Sequence, residues 1–267
     1  MKKIFYLLSI SMLLLQGCSS DSGSNNNTST AILCKTIKFN ESDATNIRNY
    51  RDEFTYNGNE LSEVKFYYND VLTSKSLYFY TDDLITQIKR YNSSNQLTYL
   101  EDYTYNNSGQ LIQSISYDEG ILDVRKTYVY NQNGTINELE YYNYGQPQET
   151  LNSNSTFTYT NGNLVTSNII EYDGTQVYNN QIITYLYDDK NSPFKNLNAS
   201  TKFLFSNNIG PSNGFNHNII GSTETNTNIN PAFSNSTINY QYIYNTDNYP
   251  TKVTSSNPGS STVEYTY

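Results

Sequence analysis

Carboxylates are the side chains of this sequence most able to do chemistry, and several stand in pairs. Two acids held about 5 to 10 Å apart in a cleft can hydrolyse a glycoside, and sets of carboxylate oxygens can bind Ca²⁺. The pairs are Asp82/Asp83, Glu101/Asp102, Asp118/Glu119 with Asp123, and Asp188/Asp189. Most fall at or beside turn sequences, where Asp is a turn former and solubiliser. We therefore predict no catalytic residue and no metal site, and keep a glycan-processing enzyme with a carboxylate pair as the alternative.

His217 is the only histidine of the sequence. A Ser-His-Asp hydrolase would need it as the base, but no serine has the strand-turn-helix surroundings of a nucleophile elbow. Metal sites built on histidine or cysteine clusters lack ligands here. His217 is therefore expected in an exposed loop, and no cofactor is expected.

Tyrosine dominates the aromatic composition, with 28 residues against 11 Phe and no Trp. Tyrosine rings can stack on sugars, although packing between neighbouring strands is their commoner use in a sheet. The candidate ligand-binding residues are Tyr103, Tyr105, Tyr117, Phe215 and His217. A net charge of -9 and a pI near 4.6 give no basic surface for nucleic acid, so nucleic acid is not expected as a partner.

The first residues have the pattern of an export signal. Lys2 and Lys3 precede an apolar run that is shorter than the roughly 20 residues of a transmembrane helix. The run ends at Leu15-Gln16-Gly17-Cys18, which resembles the lipobox of bacterial lipoproteins. The resemblance implies cleavage after residue 17, acylation of Cys18 and attachment to a membrane through the lipid. Ser19 at the second mature position is typical of export to the outer membrane.

The export signal and the lipobox divide the chain into three segments. They are a signal peptide (1–17), the lipidated cysteine with a polar tether (18–30), and a single domain (31–267). Loss of Lys2 and Lys3 would change the net charge from -9 to -11. Cys34 is the only other cysteine, so no disulfide is expected, and it is predicted to be a small buried residue of the first strand.

A repeated hairpin organises that domain. Aromatic pairs separated by one residue precede turns rich in Asn and Gly, which tolerate positive φ. The pairs are Phe54/Tyr56, Tyr78/Tyr80, Tyr103/Tyr105, Tyr128/Tyr130, Phe157/Tyr159, Tyr185/Tyr187 and Tyr242/Tyr244. In the copy at 103–117, period two puts Leu111, Gln113, Ile115 and Tyr117 on one face. In other copies two apolar residues stand an odd number apart, which predicts β-bulges.

The fold class predicted is all-β, with repeated antiparallel hairpins in one large curled or barrel-like meander. About fourteen strands are expected, and an open sheet of that size tends to curl or close. Charges within the strands argue against a lipid-facing barrel, which needs an unbroken apolar outer band. They are Lys65, Lys89, Arg90, Asp102, Glu138 and Glu140.

The repeat is interrupted at 191–239. We expect this insertion to cap one end of the sheet, with Phe194, Phe203, Leu204 and Phe205 buried. The alternative is a ligand-binding loop that includes Phe215 and His217. The segment 41–51 is expected to be a loop or a short helical turn, and Val263–Tyr267 a final strand.

Three segments resemble the tyrosine-aspartate (YD or RHS-type) repeat of bacterial surface proteins, Tyr-x-Tyr-Asp-x-x-Gly-x-Leu. They are Tyr103–Leu111, Tyr128–Ile136 and Tyr185–Asp189, with the family aspartate kept at Asp188. Together with the lipobox, the repeat is similar to small Tyr-rich surface lipoproteins of Bacteroidetes. That resemblance implies a porin-like or curled β-sheet fold and carries no catalytic residues. The expected function is a non-enzymatic outer-membrane or cell-surface scaffold, structural or presenting a site to a glycan or an envelope protein.

Overall fold

The computed structural model describes residues 31–42, 47–143, 146–198, 200–202, 216–227, 235–256 and 262–267. These residues form sixteen β-strands and a short helical turn at 200–202. The strands are β1 (Thr36–Ser42), β2 (Ile47–Asn57), β3 (Glu60–Tyr68), β4 (Val71–Thr81), β5 (Leu84–Asn92), β6 (Leu97–Tyr105), β7 (Leu111–Asp118), β8 (Ile121–Tyr130), β9 (Thr135–Tyr142), β10 (Thr150–Thr160), β11 (Asn163–Asp173), β12 (Gln176–Tyr187), β13 (Ile219–Asn226), β14 (Ser236–Tyr244), β15 (Pro250–Ser255) and β16 (Thr262–Thr266). Among the described residues, no helix is long and apolar enough to cross a bilayer.

The strands form one closed antiparallel barrel. Each strand pairs with the next along the chain, and β1 pairs with β16 through registers such as Ile37 with Tyr265. Closure leaves no unpaired edge, which is the expected solution for so large a meander. The predicted fold class is confirmed, with two strands more than expected.

Two predictions about the elements were wrong. Residues 47–51 begin β2 instead of lying in a loop, and β13 and the start of β14 lie within 191–239. Both were missed because their sequences, rich in Asn, Thr and Arg, lack the aromatic pair. The connection between β12 and β13 therefore spans only 188–218, and the barrel continues through the region where the repeat is hard to see.

The aromatic pairs and the bulges form one hydrogen-bonded system. In most hairpins an apolar residue just after the turn starts a β-bulge, which points its carbonyl away from its own partner. A tyrosine from a neighbouring part of the sheet donates its hydroxyl to that carbonyl. The donor is the second tyrosine of a pair in three cases, the first in one case, and Tyr267 after β16 in another. The pairs are Tyr80 to Leu61 (2.9 Å), Tyr105 to Ile85 (2.7 Å), Tyr187 to Leu164 (2.6 Å), Tyr242 to Ile219 (2.9 Å) and Tyr267 to Pro250 (2.9 Å). This linkage explains why the repeat uses tyrosine instead of phenylalanine.

The bulges also decide which residues face the lumen. At the β6–β7 hairpin, Tyr105 pairs with Leu111 but Thr104 pairs with Gln113. Buried Leu111 therefore faces inward together with Ser114, whereas Gln113, Ile115 and Tyr117 point outward. The sequence prediction that Leu111 shares a face with Tyr117 was wrong, because it assumed an unbroken period of two.

One end of the barrel is covered by residues from 188–202, and we call it the capped end. Phe194 and Leu197 are each 4% exposed and pack in a cluster with Cys34, Phe54 and Val253. Phe54 and Phe194 meet edge to face with ring centroids 5.5 Å apart. The expected cap is thus observed at Phe194, while Phe203, Leu204, Phe205 and Phe215 lie outside the described residues. Cys34 is buried as expected, but it lies two residues before β1 begins and not within the strand.

The outer wall carries charge on most of its strands. Register and alternation place outward the side chains Lys38, Arg51, Glu53, Glu63, Lys65, Lys75, Lys89, Asp102, Arg125, Lys252 and Glu264. Several pair with one another, as Lys65 does with Glu63 at 3.3 Å. A wall of this kind is suited to water, since ionised groups facing hydrocarbon are costly.

Candidate functional site

The lumen contains a group of buried acids around one lysine. The β8–β9 hairpin lacks the bulge, so Tyr128 pairs directly with Glu138 and Lys126 with Glu140. Lys126 Nζ lies 2.9 Å from Glu140 Oε2 and 3.9 Å from Glu138 Oε1. The Glu138 side chain is only 6% exposed, and burial raises its pKa although Lys126 opposes the change. The pKa of Glu140 is lowered, because the attraction of Lys126 and the hydrogen bonds from Lys126 and Asn152 outweigh its burial.

Arg90 forms a second polar centre in the lumen. Its guanidinium lies 5.4 Å from the ring centroid of Phe66 and 5.5 Å from that of Tyr99, and its Nε donates to Ser76 Oγ at 3.3 Å. Burial raises the pKa of nearby Asp52 to about 6, even though Arg90 favours its ionised form. The rings of Phe66 and Tyr99 interact favourably with the Arg90 cation. Because the nearby carboxyl of Asp52 offsets the charge of Arg90, we do not assign an anion-binding site here.

Asp52 gives the barrel a defined pH dependence. An acid whose pKa rises on folding binds protons more tightly in the folded state, so stability falls as pH rises from the ordinary value of 3.8 to about 6. At about 1.4 kcal/mol per pKa unit, the loss is up to about 3 kcal/mol. We expect Asp52→Asn to remove this pH-dependent loss. In urea unfolding, the stability of the variant relative to wild type should therefore be greater at pH 7 than at pH 4. A difference that is the same at both pH values would contradict this assignment.

Of the predicted ligand residues that the structure describes, Tyr103 and Tyr105 share one inner cluster, while Tyr117 and His217 lie elsewhere. Tyr103 lies in the lumen wall and is 8% exposed, while the Tyr105 hydroxyl is committed to the Ile85 carbonyl. Tyr117 points outward. His217 lies at the capped end, where its Nδ1 is 2.9 Å from Nδ2 of Asn163. Phe215 lies outside the described residues.

Most of the predicted acids stand in turns or on opposite faces of a strand, although burial and the nearby Asp118 raise the pKa of Asp123. Glu101 faces inward and Asp102 outward, because they are neighbours on one strand. Asp82 and Glu119 have positive φ in turns, and Asp188 accepts hydrogen bonds from Asn218. Among the described residues, no three His, Cys, Asp or Glu side chains lie close enough to hold a metal ion.

A cavity of about 440 Å³ opens beside the β11–β12 turn, at the end of the barrel opposite the cap, which we call the far end. It is lined by Asn152, Glu171, Tyr172, Asp173 and Tyr178. Tyr178 is 45% exposed, and Asn179 Nδ2 donates to Glu171 Oε2 at 2.9 Å. Two tyrosine rings with amide and carboxylate groups offer both an apolar stacking surface and hydrogen-bonding groups for a polar ligand.

Solved structures show what this barrel is similar to. A porin-like protein from Bacteroides uniformis ATCC 8492 matches with a TM-score of 0.52 and 17% identity, over 87% of this chain and 96% of that one. A porin-like protein from Bacteroides vulgatus ATCC 8482 matches with a TM-score of 0.53 and 13% identity, over 86% and 97%. The chain has a porin-like β-barrel fold. No family model and no curated protein sequence matches it.

The porin-like fold agrees with the fold that the sequence resemblance implied, but the cavity of this barrel was not found from sequence. Tyr172 and Tyr178 flank the turn Asp173-Gly174-Thr175, and this arrangement was the available signal. It was missed because aromatic residues were sought before the Asn-rich turns of the repeat, whereas this turn is at the other end of the barrel.

Proposed function

We propose that this chain is a non-enzymatic lipoprotein of the outer membrane or cell surface whose barrel binds a glycan at the far end. The observation that carries the proposal is the cavity lined by Tyr172, Tyr178, Asn152 and two acids. Sugar rings present apolar C–H faces and many hydroxyls, which match tyrosine rings and side-chain acceptors respectively. The lipobox at Cys18 and the relation to tyrosine-aspartate repeat lipoproteins belong to the same proposal.

The cavity lies at the end of the barrel opposite the one where the described chain begins. The described chain begins at the capped end, where Lys35 N donates to Thr266 O and Asn196 donates to the Ile32 carbonyl. A lipid anchor at Cys18 would be joined to the barrel at this end through residues 19–30. The cavity, at the opposite end, would remain accessible to a ligand from outside.

The test is glycan-array binding of the mature protein, followed by affinity measurements on variants. We expect Tyr178→Ala to weaken binding by about tenfold, equivalent to about 1.4 kcal/mol. Tyr117→Ala, on the outer wall, is the matched control and should bind as wild type does. Equal affinity of all three proteins would exclude the cavity as the site.

A glycan-processing enzyme is the second candidate, because Glu171 and Asp173 both line the cavity. Incubation of wild type and Glu171→Gln with the bound glycan separates the two functions. A binding protein leaves the glycan intact. Release of new reducing ends by wild type alone, with binding retained in the variant, would establish the enzyme.

A further inference from the structure

Along five consecutive strands, β10–β14, no charged side chain of the strand wall points outward. These strands contain three acids, of which Glu171 and Glu224 face the lumen side and Asp173 ends β11 at the turn. By contrast, Lys38, Glu264 and Lys252 form a charged row across the neighbouring β1, β16 and β15. We call the outward side chains of β10–β14 the uncharged wall.

A row of threonines crosses the uncharged wall. Thr158 pairs with Thr166, Thr166 with Thr184, Thr184 with Thr223, and Thr223 with Thr237. All five therefore stand side by side on adjacent strands, about 4.8 Å apart. Threonine presents a methyl group beside its hydroxyl, so this row can contact either an apolar or a hydrogen-bonding surface without exposing a charge.

Exposed aliphatic side chains lie on the same wall toward the capped end. Leu186 on β12 is 65% exposed, Ile220 on β13 is 38% exposed and Ile243 on β14 is 60% exposed. They follow one another on three adjacent strands, and β14 is separated from β1 by only β15 and β16. The apolar part of the wall is thus close to where the described chain begins.

We propose that the uncharged wall rests on the lipid surface to which the chain is anchored, with Leu186, Ile220 and Ile243 in contact with the lipid. This inference rests on the proposed attachment at Cys18. Residues 19–30 are a polar segment of a dozen residues, which as a flexible chain spans on the order of 20 Å. That length lets the side of the barrel reach the bilayer.

Two physical reasons favour lipid over other occupants. A covalent anchor gives the wall an effective concentration of about millimolar at the surface, so a contact that is weak in free solution is sufficient. Contact with lipid removes water from ionised groups, which is costly. The uncharged wall directs no ionised side chain outward over five adjacent strands, so it escapes that cost.

Single tryptophans test the proposal cleanly, because the chain contains none. Leu186 and Ile243 stand at the centre of the Tyr-x-Tyr motif, as do Phe79 on β4 and Val129 on β8, which lie outside the uncharged wall. The four variants Leu186→Trp, Ile243→Trp, Phe79→Trp and Val129→Trp are made in the full-length lipidated protein and reconstituted into vesicles whose acyl chains carry bromine. We expect strong fluorescence quenching at 186 and 243 and little at 79 and 129.

The outcomes separate docking from anchoring. Equal quenching at the four positions, or none at 186 and 243, would overturn the docking while acyl-probe labelling of wild type and Cys18→Ala reports on the anchor independently. Cross-linking of Leu186 sites between copies, without quenching by the brominated lipid, would assign the wall to self-association and also overturn the proposal. Absence of both acylation and quenching would remove the anchor and the docking together.

Discussion

Replacing Phe194 by alanine should lower the free energy of unfolding by about 3 to 5 kcal/mol, the range for loss of a buried phenylalanine ring. Phe194 is 4% exposed and its ring meets Phe54 edge to face. Its removal leaves a cavity between the cap and the barrel wall that rigid strands cannot close. Urea unfolding at constant pH measures the loss.

Two further measurements make the Phe194→Ala result specific to the cap. Val71→Ala removes an aliphatic side chain that is 66% exposed, and it should stay within about 0.5 kcal/mol of wild type. Cys34 belongs to the same cluster as Phe194, so a looser cap should speed its modification by a thiol reagent, followed by mass spectrometry. A Phe194→Ala protein with wild-type stability and wild-type Cys34 protection would show that the segment does not hold the capped end closed.

Lys126→Met should also lower the free energy of unfolding by about 3 to 5 kcal/mol near neutral pH, because it leaves buried acids without their cation. Lys126 is the lysine between Glu138 and Glu140. Burial already raises the pKa of Glu138, and without Lys126 this acid should take up a proton on folding. The cost should therefore shrink as pH falls, which unfolding curves at pH 5 and pH 7 will reveal.

The double variant Lys126→Met/Glu138→Gln provides the internal control, since removing the orphaned charge should restore part of the stability. Lys65→Met is the matched surface control. Lys65 pairs with Glu63 at 3.3 Å on the outer wall, where an exposed ion pair contributes about 1 kcal/mol or less. Equal losses for Lys126→Met and Lys65→Met would mean that the lumenal acids do not depend on Lys126.

The fold class and much of the repeat could be predicted from local sequence. Aromatic pairs before Asn-Gly turns predicted the hairpins, and their number required a sheet large enough to close. The burial of Phe194 at the capped end was also predicted, because a large apolar side chain in an irregular insertion is expected to be buried. Strands without an aromatic pair were missed. The Thr- and Asn-containing sequence of β13 is typical of a loop, and it forms a strand because β12 and β14 supply hydrogen-bond partners.

The sequence by itself determined the all-β class, the hairpin repeat, the net negative charge and the presence of only one histidine and two cysteines. These properties depend on composition and on contacts within a few residues. The tertiary structure alone decided which side chains face the lumen, because one bulge reverses every later residue of a strand. The bulge sets Leu111 inward and Tyr117 outward, and its absence at β9 turns Glu138 and Glu140 into the lumen. The cavity at Tyr172 and Tyr178 and the uncharged wall likewise arise only when barrel closure fixes the order and register of separate strands.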